Sequence, residues 1–246
     1  MTYTAPSGRA YRLYNDLLAQ THLLIAGATG SGKSTVVNGM VTNALYRTPD
    51  EIGFMLIDPK RVELREYIDL PHTLSYTNKL DEVPRALRSV RQIVEARLAD
   101  MERRRLKLYQ GSDIYVIIDE LMPIMTNKEI KAEALPLLQE VLAVARCARV
   151  HIVACTQSPV VQVLPTPLKC NFDSRIALRT ATAQDSRNIL GVKGAELFPD
   201  PQTEGKAHMF YRHGPVTDLY EVPRYTDEER RRLIDYWTQY GSRRSA

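Results

Sequence analysis

The chain has 246 residues, 44% of them apolar, with 33 Lys and Arg against 29 Asp and Glu for a formal charge of +4. That length is enough to bury one large α/β core, and the small basic excess permits a polyanionic partner without requiring one. No run approaches the roughly 18 uninterrupted apolar residues of a membrane span, the N-terminus lacks the charged-then-apolar pattern of an export signal, and Cys147, Cys155 and Cys170 lack C-x-x-C spacing, so a soluble, cytoplasmic chain with reduced thiols is expected.

In chain order, apolar runs predict strands at 22–26, 53–58, 114–119, 150–155 and 174–179. Longer segments at 33–46, 83–108 and 129–148 predict helices between them, the last with Leu135, Leu138, Leu142 and Ala145 spaced as a packed seam. Such alternation predicts an α/β fold, a central mainly parallel sheet with helices on both faces. Runs at 206–211 and 216–221 flank His213-Gly214-Pro215 and predict a closing hairpin. From Thr226 the sequence TDEE starts a last helix, and GSRRSA is expected to fray. The expected organisation is a lead-in over 1–20, one domain over 21–224, and a C-terminal helix with a basic tail over 225–246.

Between the first strand and the first helix, Gly27, Ala28, Thr29, Gly30, Ser31, Gly32, Lys33 and Ser34, followed by Thr35, match G-x-x-x-x-G-K-[ST]. Glycines let such a loop curl so that its N–H groups converge on phosphate oxygens, with the positive end of the following helix aimed at them. Lys33 is expected to reach the β- and γ-phosphates and the Ser34 hydroxyl to coordinate Mg²⁺. The loop by itself fits a kinase or a GTPase equally well. IYVIIDE at 114–120 narrows the choice, because a buried strand delivers Asp119 and Glu120 beside the loop. Asp119 is suited to hold Mg²⁺ through water and Glu120 to polarise the water that attacks the γ-phosphate. Gln157, after the next strand, can donate to that phosphate or orient that water. Arg146, Arg149, Arg175 and Arg187 are candidates for a finger supplied to a neighbouring subunit.

These landmarks carry a resemblance to the motor domain of the FtsK/SpoIIIE family of DNA translocases, in the wider group that includes HerA. HLLIAGATGSGKS (22–34), LIDPKRVEL (56–64), LPH (70–72), ADMERR (99–104), VIIDEL (116–121), ARCARVHIVACTQ (145–157), NFDSRIALR (171–179) and DSRNILG (185–191) occur in family order. The resemblance implies a RecA-like P-loop ATPase fold, ATP and Mg²⁺ as ligands, and self-association, as a homohexameric ring around double-stranded DNA. Arg146 falls where the family has an arginine before its G-I-H strand start, which implies that it is the trans finger. Type VII secretion ATPases resemble this group but carry a D-Y-K-G-G-like run in place of Asp58-Pro59-Lys60, which favours DNA over a protein substrate.

Two departures stand out: Ser158 replaces the arginine that commonly follows T-Q, and only nine residues, Arg105 to Asp113, separate MERR from IYVIIDE. The transmembrane helices, long linker and winged-helix tail of full cell-division translocases are not recognisable. The expectation is a piece of a longer motor or a reduced motor of a phage, plasmid or conjugative element, with a membrane-anchored domain or partner outside this chain.

The basic residues from Arg85 to Lys107 read as a solvated helix face, or as a subunit-interface or DNA-facing one whose phosphate contacts would give affinity without base specificity. Scattered tyrosines and one tryptophan give no single-strand stacking ladder, and the five dispersed histidines propose no metal site. Beside the DNA translocase, two readings stay open: a conjugative coupling ATPase delivering DNA to a transfer channel, and an ATP-binding assembly module with slow hydrolysis.

Overall fold

The strands of this chain form from apolar runs in which successive side chains enter different cores. In the computed structural model, which describes residues 8–244, Leu23 and Ile25 of β1 (His22–Ala26) face one core while Leu24 faces the other. The same alternation sends Phe54 and Leu56 of β2 (Ile52–Ile57) to the first core and Met55 and Ile57 to the second. Strands buried on both faces belong to a parallel sheet, and they read as unbroken apolar runs because neither face meets water.

The described residues form an eight-stranded sheet. With β3 (Thr73–Thr77), β4 (Asp113–Ile118), β5 (Val150–Thr156), β6 (Ser174–Ala177), β7 (His208–His213) and β8 (Val216–Glu221), the order is β3-β2-β4-β5-β1-β6-β7-β8. The first six pair in parallel, and β7 and β8 close the edge as an antiparallel hairpin turning at Gly214, φ 58°.

Helices cover both faces. On one, α1 (Gly8–Leu18), α2 (Lys33–Arg47) and α9 (Asp227–Arg244) share a core with Leu64, Tyr67 and Leu70. On the other, α3 (Val83–Arg104) and α5 (Lys128–Val144) pack through Leu87, Val90, Val94, Leu138 and Val141, with the short α4 (Met122–Thr126) and α6 (Thr166–Cys170) at their ends. Helices α7 (Ala183–Leu190) and α8 (Pro201–Glu204) bridge β6 to the hairpin. This is a RecA-like P-loop NTPase fold.

Several boundaries differ from expectation for local reasons. Helix α3 stops at Arg104, where Arg105 turns left-handed (φ 54°), and α5 stops at Val144 before a turn ending at Arg149 (φ 54°). Strand β3 was not foreseen because TLSYT is a half-exposed edge whose polar residues carry no apolar run. Helix α1 falls in the expected lead-in, yet its Tyr14 is wholly buried against Gly39 of α2, where a Cβ would come within 2.0 Å of the ring. Asn43 of α2 links both terminal segments, accepting from Tyr225 Oη at 3.1 Å and donating to Asn15 Oδ1 at 2.9 Å. Among the described residues no helix is long and apolar enough to cross a membrane.

Candidate functional site

Strand β1 lies where the connections diverge to opposite sides of the sheet, and its carboxyl end is therefore a crevice. The loop leaving it is clasped by its neighbours: Gly27 N–H donates to Thr156 O of β5 at 3.2 Å, and Ala28 N–H donates to Arg179 O beyond β6 at 2.8 Å. Gly30 and Gly32 take φ of 73° and 103°, and a Cβ on Gly32 would also meet Ala207 Cβ at 2.8 Å. Only glycine meets both demands at Gly32. The first bond of α2 runs from Val36 N–H to Gly32 O at 3.1 Å, so the N–H groups of Lys33, Ser34 and Thr35 lie ahead of the helical ladder, ready for an anion.

The loop's side chains fit the same occupant. Lys33 Nζ donates to the loop's own carbonyls, Gly27 O at 2.7 Å and Ala28 O at 2.9 Å, and burial lowers its pKa. Ser31 Oγ is buried with no hydrogen-bond partner. Outside the loop runs a groove of about 520 Å³ lined by Gly30, Gly32, Thr35, Gln202, Lys206 and Arg224. A smaller cleft of about 180 Å³ follows, between Ser34, Thr35 and Asn38 on one side and Arg224 and Arg230 on the other. The larger groove has the size that a nucleotide needs, and its lining is mixed, with Lys206 paired to Glu221 at 3.2 Å and Arg224 adding a second cation.

The acid pair ends β4 next to this loop. Asp119 is half-buried, and burial, followed by the charges of Asp58 and Glu63, pushes its carboxyl up to about 6. A carboxylate so crowded by its own sign is a hard oxygen donor of the kind Mg²⁺ takes, and the Ser34 hydroxyl in the first turn of α2 is another. Glu120 is fully buried and accepts from Lys60 Nζ at 3.0 Å and from the N–H groups of Met122 and Gln157, each at 3.2 Å. Gln157 in turn accepts from Thr29 Oγ1 at 2.9 Å, so its amide side chain is tied to the phosphate loop while its backbone holds Glu120. The structure thus gathers Gly27 to Thr35, Asp119, Glu120 and Gln157 at the carboxyl ends of the interior strands β1, β4 and β5.

Arg146 is not among them. It is exposed in the turn before β5, whereas Thr156 at the far end of that strand touches the loop. The length of a seven-residue strand, roughly 20 Å, separates the two ends. Arg149 pairs with Asp113 at 2.7 and 2.5 Å, and Arg175 donates to the carbonyls of Phe172, Ile189 and Lys169, so both are engaged within the chain. Arg187 is exposed, with a long bond to Gln184 Oε1 at 3.4 Å. The basic stretch is largely neutralised: Arg88 pairs with Glu133, Arg91 with Glu95 and Glu140, and Arg103 and Arg104 with Asp100. Arg97 caps the carbonyls of Ala148 and Arg149 and covers the Tyr109 ring at 4.4 Å.

Sequence reasoning gave Lys60 no role of its own. Its position just past the carboxyl end of β2 was visible, but its partnership with Glu120 depends on β2 lying beside β4.

Residues 6–196 match the FtsK/SpoIIIE family. The chain is 36% identical to the DNA translocase FtsK of Borreliella burgdorferi over 256 residues, covering 92% of this chain and 30% of that protein. It is 38% identical to the DNA translocase FtsK of Chlorobaculum tepidum over 228 residues, covering 83% of this chain and 27% of the relative. It therefore spans less than a third of the length of these curated relatives. In fold it is similar to the pCW3 conjugation coupling protein TcpA, in its monomer form with ATPγS, with a TM-score of 0.73 at 21% identity over 90% of this chain and 66% of that one. With the match running from before the phosphate loop to beyond Gln157, the chain belongs to the FtsK/SpoIIIE family.

Proposed function

We propose that this chain is the motor unit of an ATP-driven double-stranded DNA translocase, working in a homohexameric ring with ATP hydrolysed between neighbouring subunits. The observation that carries the reading is the junction of phosphate loop, acid pair and glutamine at the carboxyl ends of neighbouring strands, through Thr29 to Gln157 and Gln157 to Glu120. Three unpaired cysteines fit a reducing, cytoplasmic setting.

In this reading the N–H groups of the loop and of the first turn of α2 hold the phosphates, and Lys33 leaves the carbonyls of Gly27 and Ala28 for β- and γ-phosphate oxygens. A Mg²⁺ ion held by Ser34 and, through water, by Asp119 would neutralise charge developing between those phosphates. Glu120 accepts the proton of the attacking water at a carboxylate oxygen, and Gln157 orients that water. Arg146 completes the site of a neighbouring copy, since its place before the amino end of β5 keeps it from its own.

Steady-state ATP hydrolysis with and without long double-stranded DNA, across a protein concentration series, tests this. Stimulation by DNA that rises more steeply than linearly with protein is expected. ATP binding without any response to DNA would overturn the motor reading for this chain.

A further inference from the structure

A base must come within hydrogen-bond reach of the proton it takes, and Glu120 as it stands offers no free position. A carboxylate has about four acceptor sites. Here Oε1 accepts from Met122 and Gln157, and Oε2 from Gln157 and Lys60, in a side chain with 0% of its surface exposed. Two of these donors are backbone groups, fixed where α4 opens and where β5 ends. Lys60 differs, being a flexible side chain on the loop after β2, 33% exposed. Freeing Glu120 therefore means moving Lys60.

Something stronger than Glu120 must draw it. Lys60 holds the same oxygen of Glu120 that Gln157 N–H bonds, and Gln157 is itself bonded to Thr29 of the phosphate loop, so the Lys60 ammonium stands beside the loop that Lys33 serves. An anion entering the phosphate loop is thus attractive to both ammonium groups. We propose that Lys60 is a positioning residue that responds to the γ-phosphate: without nucleotide it clamps Glu120, and a bound nucleoside triphosphate draws it from the carboxylate to γ-phosphate oxygens, releasing Glu120 to the attacking water. A nucleoside diphosphate lacks those oxygens and leaves the clamp closed. The inference rests on the reading of the loop as a triphosphate site and of Glu120 as the base.

The test is a double-mutant cycle on nucleotide affinity, read by titrating fluorescently labelled ATPγS and ADP in Mg²⁺ buffer, with turnover of ATP measured alongside. Glu120→Gln removes the charge that competes for Lys60, so it is expected to tighten ATPγS by about fivefold or more while leaving ADP within about twofold. Lys60→Met should weaken ATPγS and spare ADP, and in the Lys60→Met background the Glu120→Gln change should no longer tighten ATPγS. Lys60→Arg, which keeps the cation, should retain the preference for ATPγS.

Equal tightening with and without Lys60 would mean simple charge removal and would overturn the clamp, as would no tightening at all. Thermal melting identifies folding failures. Lys60→Met leaves a buried carboxylate without its cation, and if that variant does not fold, Lys60→Gln, which keeps a neutral donor, takes its place in the cycle. Turnover surviving in Glu120→Gln would refute the base assignment, while the cycle still reports on the clamp. Failure of the unmodified chain to bind either nucleotide would remove the triphosphate site and the clamp with it.

Discussion

Lys33 donates to the carbonyls of buried Gly27 and half-buried Ala28, so its loss removes two hydrogen bonds within one loop, each worth about 1 kcal/mol. Lys33→Ala should melt within a few degrees of the unmodified chain, yet bind labelled ATPγS about a hundredfold or more weaker, because the charge facing the β- and γ-phosphates is gone. Glu120→Gln separates binding from chemistry. The amide oxygen can still accept from the N–H groups of Met122 and Gln157, while its NH2 takes the place of the oxygen that holds Lys60, and the amide cannot take a proton from water. Turnover, followed as phosphate release, should fall by about two orders of magnitude or more with nucleotide binding retained. A variant that hydrolysed ATP at an undiminished rate would move the base elsewhere, with Asp119 the first place to look.

At the scale of elements, two ties hold the frame that carries these residues. The first joins the amino ends of β4 and β5: Asp113 receives both arms of Arg149 and lies 3.0 Å from His151 Nε2, while His151 Nδ1 lies 3.0 Å from Gln20 O ahead of β1. Burial raises the Asp113 pKa, but hydrogen bonds from His151 and Arg149 outweigh it and bring the carboxyl from 3.8 down to about 2. Because the folded value is the lower one, this stabilisation is present above 3.8 and is lost as pH falls through about 2. Asp113→Asn should cost about 2 kcal/mol near neutrality and flatten the stability curve across that acid window, as read by urea unfolding at a series of pH values. The second tie is the seat of Tyr14 on Gly39. Gly39→Ala should destabilise by about 1–3 kcal/mol through overpacking, since the ring, wedged between α1 and α2, also donates to Pro223 O.

How far such ties were readable depended on their range in the chain. Strands β1, β2, β4 and β5 announced themselves because burial on both faces leaves no polar interruption, and the loop, Asp119, Glu120 and Gln157 followed from their places at strand ends. Strand β3 was hidden by its polar edge, and α1 by the absence of acidic residues in its first turn. The Lys60 partnership was hidden for a different reason: it is created by strand order, which local pattern does not encode.

On the scale of the whole molecule, the position of Arg146 bears on the proposed assembly. At the opposite end of β5 from its own phosphate loop, it can serve a site only in a neighbouring copy, and a head-to-tail arrangement that brings it there closes into a ring when the rotation allows. Arg146→Ala and Glu120→Gln should therefore each be inactive alone and active together, because a mixture creates junctions in which an intact site meets an intact finger. In a random equal mixture about a quarter of the junctions have that composition. Recovery should appear in phosphate release as the two proteins are titrated together, and should vanish when both substitutions sit on one chain. If the finger acted within its own subunit, mixing would restore nothing. If Arg146 were an ordinary surface residue, its variant would need no rescue, and the search for the finger would pass to Arg187, which is exposed and only weakly bonded.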